Sequence, residues 1–186
     1  MLFRSFINYN FKMEIEIKKS AKLVDYNIAL KFLDKRVKDV INGKKPELLW
    51  ILEHKAIFTA GTNSRENEIL NKKIKVIKTS RGGKITYHGP GQIIVYFVLN
   101  LNKRQKDIRK LIRNIEKCIM LTLKDFNIES CNDHKNIGIW VNVNNEAKKV
   151  AAIGIRVKRW IAFHGFSINI SNNLEVYNNI VPCGIY

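Results

Sequence analysis

Between Arg81 and Gly91 the chain reads RGGKITYHGPG, with four glycines and one proline in eleven residues. Glycine reaches backbone angles that a side chain forbids, and proline fixes φ and removes a donor. The stretch therefore predicts special backbone geometry and tight turns. It joins two β-type runs. Ile74, Val76 and Ile77 precede it, and QIIVYFVLNL (Gln92–Leu101), dense in β-branched and aromatic residues, follows it. The pattern is neither GxxxxGK[ST] nor a GxGxxG opening a helix, so a P-loop and a dinucleotide-binding turn lack support. Two readings remain. The glycines serve turns between strands, or they form a loop whose bare backbone approaches a ligand, with Arg81, Lys84, Tyr87 and His88 around it.

The rest of the chain alternates helical and β periodicity. Over residues 22–41, Leu23, Tyr26, Leu30, Leu33, Val37 and Ile41 fall at steps of three and four, one face of a helix that Gly43 and Pro46 end. ELLWILE (Glu47–Glu53) reads as a buried strand, followed by a loop with Gly61, Thr62 and Asn63. A second amphipathic helix runs from Asp107 to Phe126, with Ile108, Leu111, Ile112, Ile115, Ile119 and Leu123 on one face. Three strands follow at Ile137–Val143, Lys149–Val157 and Ile161–Ile170, with Asn144 and Asn145 as a hairpin turn. This order predicts an α+β fold: a mixed, mostly antiparallel sheet with helices packed to one side. At 186 residues, 46% hydrophobic and 26% charged, one domain is expected. Residues 1–12 are read as an N-terminal extension, because Met13 offers a second start, and 13–186 as the domain. No apolar run reaches the ~18 residues of a membrane span.

Lys plus Arg number 33 against 16 Asp plus Glu, a net charge of +17. Such a field attracts acidic partners: nucleic acid, an acidic carrier protein or an anionic membrane. A coding bias toward Lys, Asn and Ile explains the same excess. Three cysteines with no close pair point to a reducing compartment. Cys118 lies near the apolar face of the second helix and reads as a small buried hydrophobe. Cys131, in CNDH with His134, has a weak metal-like spacing and reads as a loop residue. Cys183, in VPCGI, sits on a turn that can present it to a pocket. As a nucleophile it would need a lowered pKa and a proton partner. Lys149, opening the apolar strand KVAAIGIRV, could turn its cation toward such a thiol; a solvated hairpin position for Lys148 and Lys149 is the plainer reading. His54, His88 and His164 read as hydrogen-bonded structural histidines. HExxH and CxxC are both missing, so no metal or cofactor is expected.

Taken in order, RGGKITYHGPGQIIVY, KVAAIGIRV, FHGFSINI and NIVPCGI, together with EHKAIFTAGTN, resemble the octanoyltransferase family of lipoate biosynthesis. The similarity runs from about Glu14 to the end. The resemblance implies a fold shared with biotin and lipoate protein ligases. It implies transfer of octanoyl from acyl carrier protein to the acceptor lysine of lipoyl domains, in 2-oxoacid dehydrogenases and the glycine cleavage H protein. On the matching positions, Cys183 is the acyl-thioester nucleophile, and Lys149 lowers its pKa and shuttles protons. The substrate pocket falls to Arg81, Gly82, Gly83, Lys84, Ile85, Thr86, Tyr87 and His88, then Ala152, Ile153 and Gly154, then Gly165, Phe166 and Ser167. With no close cysteine pair and no secretory signal at its start, the protein is read as cytoplasmic, and no nucleic-acid or membrane partner is expected. In one respect this sequence departs from the family. Its relatives continue past PCGI, usually with a further helix, whereas this sequence stops at Tyr186, so a C-terminal truncation is expected. An ATP-dependent ligase of the same fold, a truncated inactive relative and a basic nucleic-acid-binding module are the alternatives. A ligase has no need of a cysteine nucleophile.

Overall fold

QIIVYFVLNL is apolar at successive positions rather than alternate ones, the pattern of a strand covered on both faces. In the computed structural model, which describes residues 14–133 and 135–182, this segment is an inner strand of a seven-stranded sheet. The large sheet is built from β1 (Ile15–Lys19), β2 (Glu47–Leu52), β6 (Gln92–Asn100), β10 (Ile161–Asn169), β9 (Glu146–Lys158), β8 (Ile139–Val143) and β7 (Cys131–Asn132), in that spatial order. Within this sheet only β1 and β2 run parallel; every other neighbouring pair in it is antiparallel. A smaller sheet holds β4 (Val76–Lys78), β3 (Ile57–Ala60) and β5 (Ile85–His88). The mixed, mostly antiparallel α+β architecture agrees with the expectation.

The helices do not lie on one side. Ile94, Tyr96 and Val98 of β6 pack with Leu48, Trp50 and Leu52 of β2 against Ala29, Leu33, Val37 and Val40 of α1 (Tyr26–Ile41). Phe97, one residue out of phase, packs with Ile115, Ile119 and Leu123 of α2 (Ile108–Asp125) on the opposite face. A strand apolar on both faces needs a cover on each, and one helix goes to each side.

Local chemistry sets the element ends. Asp25 accepts from the Asn27 and Ile28 amides at 2.9 and 3.2 Å, so α1 starts at Tyr26, later than the apolar spacing suggests. Asp107 caps α2 through the Lys110 amide at 2.9 Å. Asn144 and Asn145 have φ of 52° and 65° and turn the β8–β9 hairpin as expected. The β9–β10 hairpin uses the same geometry at Arg159 and Trp160, with φ of 50° and 62°, although neither residue type signals it. Cys118 is exposed rather than buried. It sits one position before Ile119, so the helix turns it about 100° away from the buried stripe. Cys131 lies on β7 and is also exposed; His134 lies outside the described residues, as do residues 1–13. No described helix is long and apolar enough to cross a membrane.

Candidate functional site

β5 belongs to the small sheet, while β9 and β10 belong to the large one. The turns of Arg81–Lys84 bring the two sheets together. The Thr62 amide bonds the Arg81 carbonyl, and the Asn63 amide bonds that of Gly83, so the loop after β3 clasps the glycine-rich loop. On its other side the glycine-rich loop rests on β9. Arg156 donates to the Ser80 carbonyl at 3.2 Å, and Gly82 faces Gly154.

The junction encloses a cavity of about 610 Å³. Of the fourteen pocket residues named from sequence, all but Tyr87 line it. Tyr87 packs its ring on Phe58 and Tyr177, at 5.2 and 6.0 Å between centroids. Lys84 lines the cavity, but its ammonium is held at 3.1 Å by the buried Glu68 carboxylate. Lys149 lines the same cavity. Cys183 lies outside the described residues. The chain that leads to it is anchored beside this site: the Val181 amide bonds the Glu68 carbonyl at 2.8 Å, and Ile180 bridges to Ile69.

Lys149 is half-buried and held from three directions. Its Nζ donates to the Ile137 carbonyl at 3.1 Å and stands 4.8 Å from the centre of the Trp140 ring. Trp140 is itself fixed by its indole N–H, 3.1 Å from the Asn136 carbonyl. The lysine stem runs past Gly138, whose φ of 141° is a glycine conformation. A Cβ there would stand 2.6 Å from the Ala151 carbonyl oxygen and 3.2 Å from the lysine stem. Neither Gly138 nor Trp140 was legible as part of the site, because both act through a neighbouring strand.

Toward the other end the cavity meets a cluster of buried polar rings. His54 Nδ1 lies 2.9 Å from the Val24 carbonyl, which can only accept; Nδ1 therefore carries the proton, and Nε2 accepts from the Tyr96 hydroxyl at 2.8 Å. His88 Nδ1 donates to Gln92 Oε1 at 2.7 Å, and Gln92 Nε2 donates on to Asn169 at 2.8 Å. Arg81 anchors beside them, donating to the Thr59 carbonyl and hydroxyl at 2.9 Å each. His54 and His88 thus hold structural hydrogen bonds, as expected. His164 does not: it is 3% exposed, and neither ring nitrogen has a hydrogen-bond partner among the described residues. Its φ is 69° in the middle of β10. Tyr26, Tyr96 and Ile94 also line the cavity, as do Ile108 and Ile112; nothing in their local sequence marks them. Among the described residues, no cluster of three His, Cys, Asp or Glu side chains is placed to hold a metal.

Burial holds all three histidines neutral. It lowers His88 to about 3, with nearby Arg81 and His54 adding to the effect against the Gln92 hydrogen bond. It lowers His164 to about 4, with Arg81 and Arg156 pushing the same way. His54 is lowered as well, against the Val24 carbonyl and Asp25. In the unfolded chain these rings titrate near ~6.5. Below that pH the unfolded state binds protons that the folded state refuses, so stability is complete above it and is lost as pH falls toward the folded values. Melting temperatures measured from pH 7 to pH 4 should fall steadily, and His164→Asn should remove the share due to one proton. A melting temperature flat over that range would contradict the neutral assignment.

A model of the lipoyl protein ligase A/B catalytic domain matches residues 25–185. The chain belongs to this family. An octanoyltransferase from Anaplasma marginale (strain Florida) is 45% identical over 173 residues, covering 92% of this chain and 81% of that one. An octanoyltransferase from the Wolbachia of Brugia malayi is 44% identical over 167 residues, covering 89% and 82%. Among solved structures, a lipoate protein ligase of Thermoplasma acidophilum with bound lipoic acid aligns with a TM-score of 0.69 at 13% identity. It covers 90% of this chain and 73% of that one. A lipoate-protein ligase A bound with ATP aligns at 0.65 and 13%, covering 89% and 71%. At such identities the structural matches establish the lipoyl ligase fold.

Proposed function

We propose that this member of the family is an octanoyltransferase, moving octanoyl from acyl carrier protein to the acceptor lysine of lipoyl domains. The observation that carries the reading is the held ammonium of Lys149 on a cavity whose wall beside it includes Ala152, Ile153, Phe166 and glycine backbone. The volume is in the range of small-molecule sites, and each CH₂ taken from water there contributes about 0.8 kcal/mol. The names of relatives at 44–45% identity agree with this chemistry.

In this reading the Cys183 thiolate attacks the carrier thioester, and the carrier thiolate leaves. The Lys149 cation favours the Cys183 thiolate. One thioester replaces another, so the step is close to neutral. The neutral amine of the acceptor lysine then attacks the acyl-enzyme, Cys183 sulfur departs, and Lys149 relays the amine proton. Backbone N–H groups of the Arg81–Lys84 turns supply donors for the tetrahedral oxygen. Amide formation from a thioester is downhill, so no ATP and no metal are needed. The net charge of +17 steers acidic carrier and lipoyl domains to the site. The free thiols suit the cytoplasm, where we place the protein. Acceptors would be lipoyl domains of 2-oxoacid dehydrogenases and of the glycine cleavage H protein.

Intact mass after mixing with octanoyl-carrier protein tests this directly. The protein should gain one octanoyl group, and Cys183→Ser should gain none. A folded wild-type chain with no adduct, or one charged only by free octanoate plus ATP, would refute transfer.

A further inference from the structure

The cavity reaches the surface beside Lys149. Among its exposed lining residues are Ile137, whose carbonyl holds the Lys149 ammonium, and Ile108, the first residue of α2. Ile112, one turn further on, lines it as well. Arg109 and Arg113 follow these two residues, each about 100° further round the helix, and Lys117 continues the row. All three cations are exposed. The row runs about 12 Å along α2, away from the end that lines the cavity.

This row is poorly placed for the helix itself. The amino end of a helix carries partial positive charge and favours acids, yet Arg109 and Lys110 occupy the first turn of α2 with no acid beside them. Each step of four along the row sets cation on cation, which repels. Relief is slight. The capping Asp107 reaches Arg113 at 3.8 Å, and Arg109 and Lys117 have no ion pair among the described residues. Glu116, on the same helix, is buried and accepts from Asn132 at 3.0 Å. A coding bias toward lysine would load both helices alike. α1 differs: it opens on five uncharged residues, and its exposed Lys31, Lys35 and Lys38 are interleaved with Asp34 and Asp39. The row on α2 is therefore a local feature that folding does not reward.

We propose that the exposed face of α2 from Arg109 to Lys117 is the docking surface for the acidic carrier protein that delivers the octanoyl thioester. This rests on the octanoyl-transfer reading. The row presents cations about 6 Å apart along one ridge, which fits an acidic helix lying alongside. Its position separates the two protein substrates. An acceptor lysine is a short side chain, so a lipoyl domain must sit over the cavity mouth itself. A carrier thioester ends a long flexible arm, so its domain can rest on a helix to one flank while the acyl group enters beside Ile108 and Ile137. The exposed side chains of these two residues give the arm an apolar threshold.

The test compares wild type with Arg109→Gln/Arg113→Gln/Lys117→Gln. Lys31→Gln/Lys35→Gln/Lys38→Gln is the control that removes the same charge elsewhere. Donors are octanoyl-carrier protein and octanoyl-pantetheine, which keeps the arm without the domain. The α2 variant should raise KM for octanoyl-carrier protein at least tenfold, with kcat within twofold, and should flatten the salt dependence of kcat/KM. Its rate with octanoyl-pantetheine and its KM for the lipoyl domain should match wild type, and the α1 variant should match wild type throughout. The α2 variant should melt no lower than wild type, since it loses repulsion rather than packing. An unchanged KM for the carrier, an equal loss in the α1 variant, an equal loss with octanoyl-pantetheine, or a loss confined to the lipoyl domain each overturns the proposal. Salt-steep binding of random duplex that the α2 variant loses, with carrier binding intact, overturns it too. Calorimetric binding of octanoyl-carrier protein, read without acceptor, separates this inference from the function. A wild type that binds the carrier through α2 but transfers nothing refutes transfer alone. Transfer with carrier binding that ignores the α2 substitutions refutes this inference alone, and neither binding nor transfer refutes both.

Discussion

Lys149→Arg is expected to lower octanoyl transfer by at least about a hundredfold, within the range that loss of a positioned acid–base group produces, while leaving the fold intact. Arginine keeps the charge but cannot give up its proton. Its planar guanidinium also mismatches a seat shaped for a compact ammonium, between the Ile137 carbonyl at 3.1 Å and the Trp140 face at 4.8 Å. The two half-reactions should separate. A cation still near the site favours the Cys183 thiolate, so acyl-enzyme should accumulate in Lys149→Arg and discharge slowly to a lipoyl domain. Lys149→Ala loses both the charge and the relay, so it should be slow even to acylate. Because the side chain is only half-buried, melting temperatures should stay near wild type. Time-resolved intact mass with octanoyl-carrier protein, followed by addition of acceptor, measures both steps. Normal rates in Lys149→Arg would remove the proton-relay role.

Gly165→Ala should produce the largest loss of stability among the pocket residues. An added Cβ would stand 1.9 Å from the Val95 carbonyl oxygen, 2.9 Å from its carbon and 3.2 Å from Tyr96 Cα. All three are backbone atoms of β6, paired through the whole length of β10, so none can turn aside as a flexible side chain would. The strands must part, next to a histidine already at a φ of 69°. Overpacking of this kind costs about 3 kcal/mol. For a chain of this size that lowers the melting temperature by roughly 6–12 °C. Gly154→Ala is the control. Gly154 lies directly opposite Gly165 in the register, yet its added Cβ would meet nothing nearer than the Gly82 carbonyl at 3.4 Å, an ordinary contact. Thermal melts of the two variants should therefore differ widely. Equal melting temperatures would mean that β6 and β10 are not held together as tightly as the register implies.

The elements that could be read in advance carry their cause within a few residues. Six apolar side chains at steps of three and four define α2, and Asp107 marks its start. Two asparagines that tolerate positive φ define the β8–β9 turn. The continuous apolar run of β6 marks a strand buried on both faces, a signal that should have put the helices on opposite sides. β5 was not legible, because ITYH is four residues long and its ladder partner, β3, lies beyond a long loop. The Arg159–Trp160 turn was not legible either, since the strands it joins impose a conformation that neither residue prefers.

The candidate site divides in the same way. Its membership was readable as a set of ordered motifs, because glycines that let backbones touch, a lysine at a strand start and a thiol beside proline are features of residue type. Where those residues stand was not readable. The seat of Lys149 comes from Trp140 on the adjacent β8 and from Ile137 and Gly138 just before it, Tyr87 packs its ring away on Phe58 and Tyr177, and His164 is left unbonded where a satisfied ring was expected. Such outcomes depend on contacts between segments tens of residues apart. Residue type limits what a side chain can do, but its partner, its burial and its backbone angle are settled only when distant strands pack.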